Sequence, residues 1–141
     1  MTKKLFTTSV TVNGGREGTA VSEDGKFNVV IAMPGTQRAK EIPEASNPEQ
    51  LFAAGYAACF DSALQSVSRI EKTPIESQVT GHVSLLMGEN HDYSLQVKLE
   101  VKASGTDKDK LENLVHKAHE MCPYSKAVRG NIEVELEVIA E

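Results

Sequence analysis

Apolar and polar positions alternate with a period of two in several stretches of the chain, and each stretch predicts a half-buried strand. The clearest runs from Tyr93 to Ala103, where Tyr93, Leu95, Val97, Leu99 and Val101 share one face and Gln96, Lys98 and Glu100 the other. With Ile75 to Met87 it forms a long hairpin joined through Gly88-Glu89-Asn90. Lys3 to Val12 reads as a strand closed by the turn Asn13-Gly14-Gly15. A short strand follows at Thr19 to Ser22, then a turn at Asp24-Gly25. Lys26 to Met33 alternates through Phe27, Val29 and Ile31, and Asn131 to Ile139 through Ile132, Val134, Leu136 and Val138.

Two segments change period. Thr106 to Met121 carries Leu111, Leu114, Val115 and Ala118 on one helical stripe. Asn47-Pro48-Glu49 opens a longer helix: Asn47 suits the cap, Pro48 the first helical position, and Glu49 the positive end of the helix dipole. This helix is expected to reach about Ile70. Its middle, LFAAGYAACF, is apolar all round, so burial on every side is expected. Before the longer helix, Pro34 to Ser46 reads as a long loop, a length that often carries function. The fold class is α+β, with antiparallel strands around a buried central helix plus a second helix.

At 141 residues the chain suits one domain, residues 1–141. The proportions, 40% hydrophobic and 25% charged, are those of a globular protein and exclude a disordered one. A net charge of -5 argues against a nucleic-acid partner, which requires a basic face. The longest apolar run, Leu51 to Phe60, is about half of what a membrane-spanning helix needs, so no membrane association is expected. No apolar stretch follows the lysines of Met1 to Phe6, so no secretory leader is expected and a cytoplasmic location is.

The chemistry rests on two cysteines. Taken alone, Cys59 in its apolar helix reads as a small buried hydrophobe. Cys122 stands before Pro123, where the chain must leave the helical path. Together, in a reducing compartment, they form a candidate redox pair, although spacing alone does not bring them together. A reactive thiol needs a cation or a helix N-terminus beside it. Cys59 is three turns into its helix, so the cation must come from elsewhere. Arg16, beside Gly14-Gly15, is the leading candidate, with Arg38, Arg69 and Arg129 as rivals.

Other motifs lead nowhere. Cys122-Pro123-Tyr124-Ser125 resembles the glutaredoxin tetrad, but it follows a helix near the C-terminal end instead of opening one after a first strand. His116, His119 and Cys122 rotate off a common helix face, and no metal site is expected. His82 and His91 read as surface or cross-strand polar residues. Nucleotide and acyl-serine motifs are absent.

With these residues in view, the sequence resembles the organic hydroperoxide resistance (Ohr) branch of the OsmC/Ohr superfamily. The matching segments are VNGGREGTAVSEDG at Val12 to Gly25, NPEQLFAAGYAACF at Asn47 to Phe60, and CPYSKAVRGNIEV at Cys122 to Val134. The resemblance implies an OsmC/Ohr-like fold in an intertwined homodimer. It also implies a thiol peroxidase that reduces organic hydroperoxides, without a metal or organic cofactor, and is recycled by a lipoyl-group dithiol. Cys59 matches the peroxidatic cysteine, Cys122 the resolving one, Arg16 the arginine that holds the thiolate, and Glu49 its carboxylate partner.

Leu51, Phe52, Tyr56, Phe60 and Tyr124 are expected to offer an apolar wall to the substrate. Glu49 and Cys59 stand ten positions apart in one helix, about 15 Å along its axis. That gap implies that Glu49 reaches a given Cys59 from the second subunit. A redox sensor using the same cysteines, and a binding module for an acyl-like ligand around Cys59, remain the competing classes.

Overall fold

A computed structural model describes residues 1–141. The chain groups into two compact units, Met1–Leu51 and Phe52–Glu141.

The first unit holds a three-stranded antiparallel sheet in the order β1-β2-β3, from β1 (Val10–Asn13), β2 (Thr19–Ser22) and β3 (Asn28–Val30). β1 is much shorter than the strand expected over Lys3 to Val12. Its partner β2 ends at Ser22, which pairs with Val10, and the chain then turns. Residues 3–9 therefore find no backbone partner on that strand. The loop from Pro34 to Ser46 contains a helix the sequence reading missed, α1 (Gln37–Glu41), capped by the Thr36 hydroxyl accepting from the Ala39 amide.

Between β1 and β2 a single 3-10 turn, Gly15–Glu17, carries Arg16. The backbone there closes so tightly that a side chain at Gly18 would fall on the Asn13 carbonyl, and Gly14 sits at φ 82°. Glycine is required at both positions.

Helix α2 (Pro48–Ile70) starts at the predicted proline; the Asn47 side chain accepts from the Gln50 amide at 2.8 Å. In the second unit its Tyr56, Phe60, Ala63, Leu64 and Val67 are buried in the core. The expectation of all-round burial is corrected here. Ala54, Ala58 and Ser62 are exposed along the opposite stripe, because the core residues of one chain cover only one face.

That core is completed by β4 (Glu76–Met87), β5 (Tyr93–Ser104), α3 (Lys108–Met121), α4 (Pro123–Val128) and β6 (Val134–Ala140). β4 and β5 form the predicted hairpin, with Met87 opposite Tyr93. Val97, Leu99, Val101 and Ala103 point inward from β5, against the predicted stripe of α3.

A second correction concerns β6, which pairs with β5 in parallel, Val97 opposite Val134. The reason is the connection: α3 and α4 return the chain to the start of β5, as a parallel crossover requires. α4 was also missed, although Pro123 at its first position signals it.

Candidate active site

The two cysteines meet. Cys122 ends α3, where its amide donates to the Ala118 carbonyl, and at the same residue α4 begins. Its sulfur is fully buried and lies 3.5 Å from the Cys59 sulfur, with the Cys122 thiol donating. Cys59 is partly exposed and Cys122 enclosed, and neither is bonded in a disulfide.

Burial pushes the Cys59 thiol above its ordinary pKa, and the neighbouring Cys122 adds to the rise. The backbone N–H of Tyr124, in the first turn of α4, donates to the same sulfur and opposes it. The segment that carries Cys122 thus also supplies a hydrogen bond to Cys59.

Tyr124 lies over α2 because Gly55 leaves room. A Cβ there would stand 2.7 Å from the Tyr124 hydroxyl and 3.2 Å from Cζ. The Tyr124 ring packs near Phe52 and Tyr56, at centroid distances of 6.2 and 5.7 Å. Of the expected apolar wall, Phe52 is half-buried and Tyr124 is 39% exposed, so both offer surface. Tyr56 and Phe60 offer none. Both are wholly enclosed in the core, which corrects their place on the wall. Leu51 is half-buried in the first turn of α2.

In the first unit Arg16 and Glu49 form a bidentate ion pair. Nη2 donates to Oε1 at 2.7 Å and Nη1 to Oε2 at 2.9 Å. The Glu49 side chain is 11% exposed, and the guanidinium holds its carboxyl below the usual range against the opposing effect of burial. Arg16 also donates to the Met33 sulfur at 3.1 Å, a partner that sequence reasoning missed because thioether acceptors leave no pattern.

The rival arginines have structural duties. Arg38 donates to the carbonyls of Ile31 and Gly18, Arg69 to the Ser66 hydroxyl, and Arg129 to the His119 carbonyl. The Arg16–Glu49 pair is made within one chain.

The histidines match their bland reading. His82 sits 3.4 Å from Glu100 across the hairpin, and His91 is exposed. No three His, Cys, Asp or Glu side chains converge in a metal-binding arrangement.

The profile of the OsmC-like protein family matches residues 39–137. The chain belongs to this family. It is 56% identical to organic hydroperoxide resistance protein OhrA of Bacillus subtilis, over 98% of this chain and 99% of that protein. The crystal structure of Bacillus subtilis OhrB superposes with a TM-score of 0.89 at 46% identity, covering 96% of this chain and 99% of that one. An organic hydroperoxide resistance protein from Legionella pneumophila gives 0.87 at 42%, covering 97% and 99%. Within the OsmC-like family the chain therefore falls in the Ohr branch, and its α+β fold is the fold of that branch. No helix of this OsmC-like chain is long and apolar enough to cross a membrane.

Proposed function

We propose that the protein is a thiol-dependent peroxidase that reduces organic hydroperoxides to alcohols and so defends the cell against oxidative stress. The observation that carries this reading is the cysteine pair: a partly exposed sulfur with an enclosed one 3.5 Å away. The chain's similarity to named organic hydroperoxide resistance proteins supports the substrate class.

In the first step the Cys59 thiolate attacks the outer peroxide oxygen. The O–O bond breaks, the alkoxide takes a proton and leaves as the alcohol, and Cys59 becomes a sulfenic acid. Cys122 then gives up its proton, its sulfur attacks the Cys59 sulfur, and water leaves as the disulfide forms. An external dithiol of the lipoyl type reduces that disulfide by exchange.

The environment of Cys59 disfavours the thiolate, so a cation is needed at the sulfur. Arg16, oriented by Glu49 through both carboxylate oxygens, is the proposed source. Ten residues of helix separate Glu49 from Cys59 in one chain. In the proposed homodimer, the Arg16–Glu49 pair of one subunit therefore serves Cys59 of the other. Two-fold symmetry gives two equivalent sites. The partner subunit would also cover the small-residue stripe of α2 left exposed in the single chain. A cytoplasmic location follows from the need for reduced thiols.

Anaerobic turnover tests the proposal, with cumene hydroperoxide against hydrogen peroxide as oxidants and dihydrolipoamide against glutathione as reductants. Sustained consumption of the organic peroxide with the dithiol supports it. A single stoichiometric oxidation with no turnover would make the protein a redox sensor.

A further inference from the structure

Beside the cysteine pair lies a buried hydrogen-bonded chain that no step above uses. The Ser125 hydroxyl sits 2.7 Å from the Tyr56 hydroxyl and 2.8 Å from Nδ1 of His119. Ser125 and Tyr56 have no exposed surface, while His119 is partly buried with its ring 6.4 Å from that of Phe60. One arrangement satisfies all three groups. Tyr56 donates to Ser125, and Ser125 donates to the unprotonated Nδ1 of His119.

The spacing is regular. Tyr56 precedes Cys59 by three residues in α2, His119 precedes Cys122 by three in α3, and Ser125 follows Cys122 by three in α4. Each member thus stands one helical turn from a cysteine. Their hydrogen bonds tie together the three helical segments on which both sulfurs depend.

We propose that Tyr56, Ser125 and His119 form a clamp that presets disulfide closure between Cys59 and Cys122. The sulfurs must approach from 3.5 Å to a bond of about 2.05 Å. With α4 pinned to α2 and α3, that approach is a local side-chain motion. Without the clamp, α4 drifts and the enclosed sulfur loses its aim. The clamp's members are positioning residues; none touches the peroxide.

The inference rests on the peroxidase reading only for its biological use, because closure itself is measurable with any oxidant that forms a mixed disulfide at Cys59. In anaerobic stopped flow with dithiodipyridine, the first thiopyridone released marks the mixed disulfide at Cys59. The second marks Cys122 attacking that sulfur and expelling the remaining thiopyridone. Ser125→Ala is expected to slow the second phase about tenfold, since a misplacement of about an ångström can cost that much or more. The first phase stays within about twofold of the parent protein.

His119→Gln should act in the same direction. The double variant should be no slower than Ser125→Ala alone, because one hydroxyl carries both bonds. Should Ser125→Ala fail to fold, Tyr56→Phe, which keeps the ring, is expected to slow the second phase selectively. A parental second phase, equal slowing of both phases, or additive losses in the double variant would overturn the clamp. Repeating the series with tert-butyl hydroperoxide separates the two ideas. A parent protein inert to the peroxide, whose variants still slow closure, removes the peroxidase reading and leaves the clamp standing.

Discussion

Substituting Gly55 by alanine should leave the fold intact and damage the chemistry. The new methyl would stand 2.7 Å from the Tyr124 hydroxyl, 3.2 Å from Cζ and 3.3 Å from Cε2, so the ring must retreat by roughly 0.7 Å to reach ordinary van der Waals distance. Tyr124 is 39% exposed and has room to swing toward solvent. Two effects on stability then oppose each other. Alanine is favoured over glycine inside a helix by about 1 kcal/mol. Weakened contacts of Tyr124 with Phe52 and Tyr56 cost about 0.5–1.5 kcal/mol. The net change is within about 1 kcal/mol, a shift of the melting midpoint of no more than roughly 4 °C for a chain of this size.

The chemical effect is not balanced in this way. The backbone N–H of Tyr124 donates to the Cys59 sulfur, and a displaced Tyr124 weakens that bond. A hydrogen bond to the sulfur favours the thiolate, so its loss raises the thiol pKa further and slows alkylation at a given pH. The assay is the rate of Cys59 alkylation by iodoacetamide against pH in a Cys122→Ser background, with and without Gly55→Ala, alongside a thermal melt. An unchanged alkylation profile with a normal melt would show that the position of Tyr124 does not control the Cys59 thiolate. A collapse of stability would contradict the expected intact fold.

The remaining predictions concern the proposed catalytic groups. Cys59→Ser should abolish peroxide reduction, while Cys122→Ser should react once and stop as a sulfenic acid or over-oxidise, as mass spectrometry after one equivalent of peroxide would reveal. Glu49→Gln should lower peroxide reduction about tenfold or more in steady-state assays by letting Arg16 rotate. Because the Glu49 carboxyl is held below its ordinary value in the folded chain, its stabilising effect is present above the usual carboxylate pKa. That effect is lost as pH falls through the lowered value. The difference in denaturant stability between parent and Glu49→Gln should therefore be flat at neutral pH and shrink only below about pH 4. Organic hydroperoxides should be preferred over hydrogen peroxide, since each methylene buried against Phe52 and Tyr124 adds up to about 0.8 kcal/mol. Equal kcat/KM for cumene hydroperoxide and hydrogen peroxide would remove that wall.

Local chemistry was legible in the sequence wherever one segment determined it. The start of α2 at Pro48, the buried stripe of α3 and the β4–β5 hairpin all follow from capping residues and periodicity. What stayed hidden depends on distant partners. Residues 3–9 read as part of a strand but have no neighbour on β2 to pair with, and the direction of β6 is set by the crossover before it. Apolar composition also could not distinguish Phe52, half-buried, from Phe60, fully enclosed about two turns further along the helix. Within the candidate site the ion pair Arg16–Glu49 spans 33 positions and the sulfur contact 63. Neither separation is encoded in local spacing; the family resemblance brought those residues together before the structure did. Met33, Ser125 and His119 had no such guide, since a thioether, a hydroxyl and a lone imidazole occur too widely to mark a site.

The most direct measurement is the reaction of the fully reduced protein, without oxygen, with one equivalent of cumene hydroperoxide, followed by intact mass and peptide mapping. The expected result is one equivalent of alcohol, a protein lighter by two hydrogen atoms, and a single disulfide joining Cys59 to Cys122. Unconsumed peroxide with both thiols still free, or oxidation deposited on methionines while the cysteines remain reduced, would contradict it.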